Sequence, residues 1–178
     1  MNNSKEYKIR KAAPDDVLGL HQVYFITWLD TYPNQEFNIT KEDIIFKYES
    51  RLTPDKIAER RSKISQLKDN ELMLVAEKDN KIMALCNVVQ EESYNQLKAI
   101  YVLPEYQRLG LGQALWKEAQ KVFDPQKDTI VHVAAYNEKA INFYRKLGFV
   151  STEKIFCDEK YKMRNGAIIP ELEMIIKI

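Results

Sequence analysis

Apolar and polar positions along this chain fall into two rhythms, and the change between them is sharpest in the middle third. Residues 97–103 (LKAIYVL) are rich in β-branched and aromatic types, and Pro104, which cannot donate a ladder hydrogen bond, marks the end of a predicted strand. Leu111, Leu115, Ala119 and Val122 then recur at spacings of four, four and three, the buried stripe of an amphipathic helix. Gln113, Lys117, Glu118 and Lys121 fall on its other faces, and Asp124-Pro125 stops it.

The same rhythms place the other elements. Residues 7–12 alternate as a short strand, and Pro14-Asp15-Asp16 opens a helix with Val17, Leu20, Tyr24 and Trp28 on its apolar face. Thr40 and Asp43 form a capping-box variant ahead of Ile44, Tyr48 and Leu52. Thr53-Pro54 starts a third helix, with Ile57, Ile64 and Leu67 facing inward. Residues 72–77 and 81–90 are strands joined across Asp79-Asn80, two residue types that tolerate the positive φ of a tight hairpin. Residues 129–135 form a further strand and 137–147 a helix ended by Gly148; 149–156 and 172–178 are closing strands, with Asn165-Gly166 as a turn between them. This mixture of strands and helices is an α/β (α+β) pattern.

Composition narrows the function. Lys and Arg number 27 against 26 Asp and Glu, so the net charge of +1 offers no steering toward nucleic acid or an anionic membrane surface. No stretch approaches the roughly 18 apolar residues of a membrane span, and the polar start lacks a signal-peptide core, so a cytoplasmic protein is expected. Cys86 and Cys157 stand apart without metal-ligand spacing, so reduced thiols and no metal are expected. At 178 residues the chain fits one domain spanning 1–178.

Between the central strand and helix lies Gln107-Arg108-Leu109-Gly110-Leu111-Gly112. Two glycines let the backbone approach a ligand, and the free amides of a helix start suit a phosphate, although an isolated G-x-G is equally an ordinary strand-to-helix turn. The dinucleotide fingerprint is excluded because Leu115 stands where it has Gly or Ala, and the NTPase loop because no Gly-Lys-Ser/Thr follows.

The run V-L-P-E-Y-Q-R-L-G-L-G resembles the Q/R-x-x-G-x-G/A acetyl-CoA motif of the GNAT superfamily of N-acetyltransferases, carried on Gln107, Arg108, Gly110 and Gly112. A second block, Asn137, Ala140, Phe143, Tyr144 and then Leu147-Gly148-Phe149, is similar to that family's N-x-x-A-x-x-F-Y…G-F segment. The likeness runs from about residue 72 to 149 and is weak before it. It implies a mostly antiparallel sheet of six to seven strands flanked by helices, splayed between the fourth and fifth strands. It also implies acetyl transfer from acetyl-CoA to an amine by direct attack in a ternary complex, and a family that is often dimeric.

Residue by residue, the resemblance assigns the pantetheine to the main chain of Ile100, Tyr101 and Val102 and to Asn137. The pyrophosphate falls to Gln107, Arg108, Leu109, Gly110, Leu111, Gly112 and Gln113. Backbone amides near Tyr101 and Val102 become the oxyanion donors. Tyr144 becomes the proton donor to the leaving thiolate, a role a phenol of pKa about 10 can fill at neutral pH. The base is open among His132, Glu91, Glu92 and ordered water. Trp28 and Tyr32 are candidate walls of the acceptor pocket or simple core; Asp30, Glu36, Glu91 and Glu92 could draw a cationic amine. His21 is expected to be a partly buried surface histidine. Three functions stay open: acetylation of a small, perhaps polyamine-like, primary amine; acetylation of protein N-termini or lysines, whose groove the helical insert 40–68 would tend to cover; and a silent acyl-CoA-binding regulatory module.

Overall fold

The computed structural model describes residues 7–178; the first six, part of the start read above as lacking a signal-peptide core, lie outside them. Seven strands, β1 (Lys8–Lys11), β2 (Glu71–Lys78), β3 (Lys81–Gln90), β4 (Asn95–Val102), β5 (Thr129–Ala134), β6 (Val150–Cys157) and β7 (Pro170–Ile176), make one sheet in the order β1-β2-β3-β4-β5-β7-β6. Neighbours are antiparallel except β4 and β5. That parallel pair is short: Asn95, Gln96 and Leu97 face Thr129, Ile130 and Val131, and from Lys98 onward the strands part. Asn95, buried at the closed end, fixes it by donating from Nδ2 to the carbonyls of Asp124 (2.9 Å) and Lys127 (3.2 Å). A splayed fourth and fifth strand is thus present, as the resemblance implies.

Helices α1 (Val17–Thr31), α2 (Lys41–Glu49) and α3 (Pro54–Ser65) lie on one face, and α4 (Leu111–Ala119) and α5 (Glu138–Lys146) on the other. Period-two alternation in β2 sends Leu74 and Ala76 to the α4–α5 side and Val75 to the α1 side, so the central strands are apolar on both faces. The Asp79-Asn80 hairpin has both residues at positive φ (50° and 61°), and Thr40 closes its capping box with Asp43.

Four expectations change. Val122 is 46 % exposed because α4 tightens into a 3₁₀ turn at Gln120–Val122, rotating it off the stripe. Leu52 is 44 % exposed because α2 stops at Glu49. Helix α3 fully buries no residue, leaving Ile57, Ile64 and Leu67 half-buried. The last strand begins at Pro170, tolerated because a strand's first residue needs no donated ladder bond.

Candidate functional site

The parting of β4 and β5 opens a cleft of about 570 Å³. One wall is β4 from Lys98 to Val102, which has no strand partner on its β5 side; the other holds His132 and Val133 of β5. The floor and rim come from the α4 turn and from α5 through Asn137, Ala140, Phe143 and Tyr144. The end of α1 supplies Thr27, Asp30, Thr31 and Tyr32.

The turn before α4 is built for an anion. Arg108 (φ 65°) and Gly110 (φ 77°) both take left-handed backbone, and Gly110 stands at the N-cap, where it leaves the first amides of α4 without a side-chain cap. The amides of residues 108–113 have no acceptor among the described residues. Free amides, the positive end of the α4 dipole and the Arg108 cation together suit a pyrophosphate. Gly112 is the close-approach position, since a Cβ there would stand 3.0 Å from Phe143 Cζ. Lys139 and Lys146 add positive charge on the α5 side.

Across the cleft, Asn137 caps α5 by accepting from Ala140 N (3.1 Å), which fixes the helix that carries Tyr144. Tyr144 is buried, its ring against Phe143 and Phe149, and burial pushes its phenol above the ordinary value. The hydroxyls of Tyr32 and Tyr101 are 2.9 Å apart, and burial raises both.

His132 shares a face of β5 with Ala134, which packs among Trp28, Tyr48 and Ile39, so the imidazole looks toward α1 and α2. Its Nε2 is 3.6 Å from Glu173 Oε2 and its ring meets Phe156 edge-on at 4.8 Å. Burial lowers its pKa, with Glu173 opposing, so the neutral imidazole predominates at neutral pH.

Glu91, Trp28 and His21 do not line the cleft. Glu91 stands near the closed end of the β4–β5 pair, 3.9 Å from Lys98, and does not line the cleft. The short parallel pairing holds that rim together, so no opening forms there. Trp28 is one layer behind the wall, 6 % exposed, with its ring 4.5 Å from Tyr32. His21 is buried rather than at the surface, stacked near Phe25 and Tyr48.

The sequence passed over Glu171. It is 8 % exposed with Oε2 unpartnered, on the same sheet face as its cross-strand neighbour Ala134, and burial lifts its carboxyl to about 7. The signal was Glu171-Leu172-Glu173 in an otherwise apolar strand, two carboxylates on one face. Among the described residues no group of three or more His, Cys, Asp or Glu could hold a metal ion, and no helix is long and apolar enough to cross a membrane.

The model of the acetyltransferase (GNAT) domain matches residues 33–165. The chain belongs to the GNAT acetyltransferase family. It is therefore an acetyltransferase, built on the GNAT fold that the splayed sheet displays. An N-alpha-acetyltransferase of Sulfurisphaera tokodaii is 26 % identical over 161 residues, covering 82 % of this chain and 81 % of that protein. Among solved structures, PaiA N-acetyltransferase of Thermoplasma acidophilum, in complex with coenzyme A, superposes with a TM-score of 0.71 at 23 % identity over 97 % of this chain and 99 % of that one. A spermidine N-acetyltransferase SpeG chimera from Vibrio cholerae and hSSAT gives a TM-score of 0.61 at 22 % identity, covering 97 % and 96 %.

Proposed function

We propose that this chain transfers the acetyl group of acetyl-CoA to the primary amine of a small molecule by direct attack in a ternary complex. The observation that carries this reading is the splayed β4–β5 cleft with a run of unbonded amides, residues 108–113, at one end and Tyr144 in its wall. A PaiA relative of the same fold holds coenzyme A. Acetyl-CoA supplies an activated thioester whose carbonyl the amine attacks.

The chain's residues divide the remaining work. Amides of the α4 turn hold the pyrophosphate, with Gly110 and Gly112 keeping side chains out of its path. The open edge of β4 at Ile100, Tyr101 and Val102 pairs with the pantetheine, with Asn137 opposite. That edge aligns the thioester and presents an amide to the oxygen on which negative charge develops, a contact worth about 3 kcal/mol in comparable sites.

The attacking amine, of pKa near 10, must first lose a proton. Neutral His132, in the cleft wall, takes it on its unprotonated ring nitrogen. Tyr144, held firmly protonated, donates to the departing sulfur.

Contacts over the acceptor side support a small acceptor over an extended peptide. The Tyr136 hydroxyl donates to Tyr32 O (2.8 Å), Phe37 stacks on Tyr136 at 5.3 Å, and Asn165 Nδ2 donates to Asn38 O (2.7 Å) and Asp43 Oδ2 (2.9 Å). These bridges tie the segment after α1 to the β5–α5 turn through Tyr136 and, with α2, to the β6–β7 loop through Asn165, beside the acceptor side where a peptide would have to lie. The test is CoA thiol release from acetyl-CoA over small amines and N-terminally free peptides. Turnover with small amines is expected; acetyl-CoA binding without turnover on any acceptor would leave a silent binding module instead.

A further inference from the structure

Coenzyme A carries more negative charge than the turn before α4 answers. The free amides of residues 108–113 and the Arg108 side chain suit a pyrophosphate, but the ribose of the same nucleotide bears a further phosphate, of roughly −1.5 to −2 charge at neutral pH. Positive charge without a partner lies in the same cavity. The cleft that contains the α4 turn is also lined by Lys139 and Lys146 of α5, both exposed. Neither ammonium forms an ion pair or a side-chain hydrogen bond among the described residues, whereas Arg145, on the same helix but outside the cleft, donates to Asn142 Oδ1 (3.1 Å). Lys98, a third lysine in the lining, is 3.9 Å from Glu91 at the closed end of the β4–β5 pair.

Helical spacing sets Lys139 and Lys146 on the side of α5 that meets the α4 turn. Phe143 is the contact: a Cβ on Gly112 would stand 3.0 Å from its Cζ. Lys139 lies four residues before Phe143 and Lys146 three after it, so the three share one side of the helix, with a lysine about one turn to either side of the contact. Helix stability accounts for one of these lysines only. Lys146 stands in the last turn, where a cation meets the negative end of the helix dipole, but Lys139 stands in the first turn, where the positive end opposes it. The lining carboxylate, Asp30, belongs to the end of α1 on the acceptor side, so it does not compete for the two lysines.

We propose that Lys139 and Lys146 bind the 3′-phosphate of coenzyme A, and that this pair makes the cleft prefer coenzyme A to the same nucleotide lacking that phosphate. This rests on the acetyl-CoA reading above and deepens it by giving the donor's two anionic groups separate partners. The α4 turn takes the pyrophosphate through main-chain amides, which fix its position. The lysines take the phosphomonoester as point charges on flexible stems, which need no fixed geometry to hold it.

The test is calorimetric titration with CoA and with 3′-dephospho-CoA, which keeps the pantetheine and the pyrophosphate. Both are titrated onto the unaltered protein, Lys139→Gln, Lys146→Gln and the double variant, each confirmed folded by its melting curve. The unaltered protein is expected to bind CoA about tenfold more tightly than dephospho-CoA. In the double variant CoA affinity falls to that of dephospho-CoA, whose own affinity does not change, and each single variant lies between. Arg145→Gln, which removes a charge from the same helix outside the cleft, keeps the preference. Equal binding of the two nucleotides by the unaltered protein, or an equal loss on both in the double variant, would overturn the assignment while CoA binding itself stands. A loss of preference in Arg145→Gln as large as in the double variant would also overturn it, since long-range charge alone would then explain the effect. Binding of neither nucleotide would sink the acetyl-CoA reading and the assignment with it.

Discussion

The hydroxyl of Tyr32, just past the end of α1, lies 2.9 Å from that of Tyr101 on β4, so the first helix and the open strand edge are joined inside the cleft. Tyr32→Phe leaves the Tyr101 hydroxyl without this partner and frees the end of α1. We expect acceptor KM to rise several-fold, with KM for acetyl-CoA unchanged because the α4 turn is untouched; steady-state kinetics varying each substrate in turn checks this. A rise in acetyl-CoA KM instead would place the pair on the donor side.

Tyr144→Phe removes a buried donor without changing the ring packing against Phe143 and Phe149. If Tyr144 protonates or bonds the leaving sulfur, kcat falls about 100-fold while acetyl-CoA still binds. A variant with unchanged kcat would move that role to another group.

Gly112→Val directs a branched side chain at Phe143, whose Cζ a Cβ would already meet at 3.0 Å. The Phe143 ring, α5 or the turn must give way, and the valine side chain together with that shift narrows the cleft that takes the pantetheine and pyrophosphate. The expected result is at least a tenfold weaker affinity for CoA by calorimetry. Leu109→Ala, at a side chain 63 % exposed, should change it little.

Glu171 gives a pH signature. Its folded carboxyl is raised from 4.5 to about 7 by burial, so the folded state holds a proton that the unfolded chain releases. The stability this carries is present below about pH 4.5 and lost as pH rises through about 7, with a span of up to about 3 kcal/mol. Glu171→Gln abolishes that dependence. Urea melts should show the variant gaining on the unaltered protein between pH 5 and pH 8; a difference independent of pH would mean that the carboxyl titrates normally.

If the bridges beside the acceptor side exclude peptides, Asn165→Ala, which deletes the donor to Asn38 and Asp43, should raise turnover of a free-amino hexapeptide relative to a small amine. A peptide turned over as fast as the best small amine by the unaltered protein would contradict the small-acceptor reading.

Much of this architecture is legible locally. The strand, Pro104 and the stripe of Leu111, Leu115 and Ala119 specify β4, the turn and α4 by period alone, and Asp79-Asn80 and Gly148 mark their turns by backbone preference. The α4 turn could be located because its chemistry is backbone chemistry, written as two glycines in a row of otherwise ordinary residues. The acceptor side is different. Glu171 acquires its character from burial and from strands and helices distant in sequence, and its local spacing does not announce that burial. Trp28 shows the limit from the other direction: an aromatic near a helix end reads equally as wall or core, and only packing places its ring behind Tyr32. Val122 fails for a smaller reason, a tightening of the last turn that a pure 3.6-residue period does not contain.

The position of β7 between β5 and β6 bears on how the protein is made. Strand β6 leaves the ribosome before β7 and has no other partner in the sheet, so it waits unpaired until β7 is synthesised. β5 meanwhile holds only three residue pairs to β4. During that interval one half of the sheet exists and the other is a set of open edges, with Val150 and Ile155 of β6 uncovered even in the finished fold. The step that completes the sheet also brings Glu173 to His132, so the nascent chain acquires its complete cleft only with its closing strand.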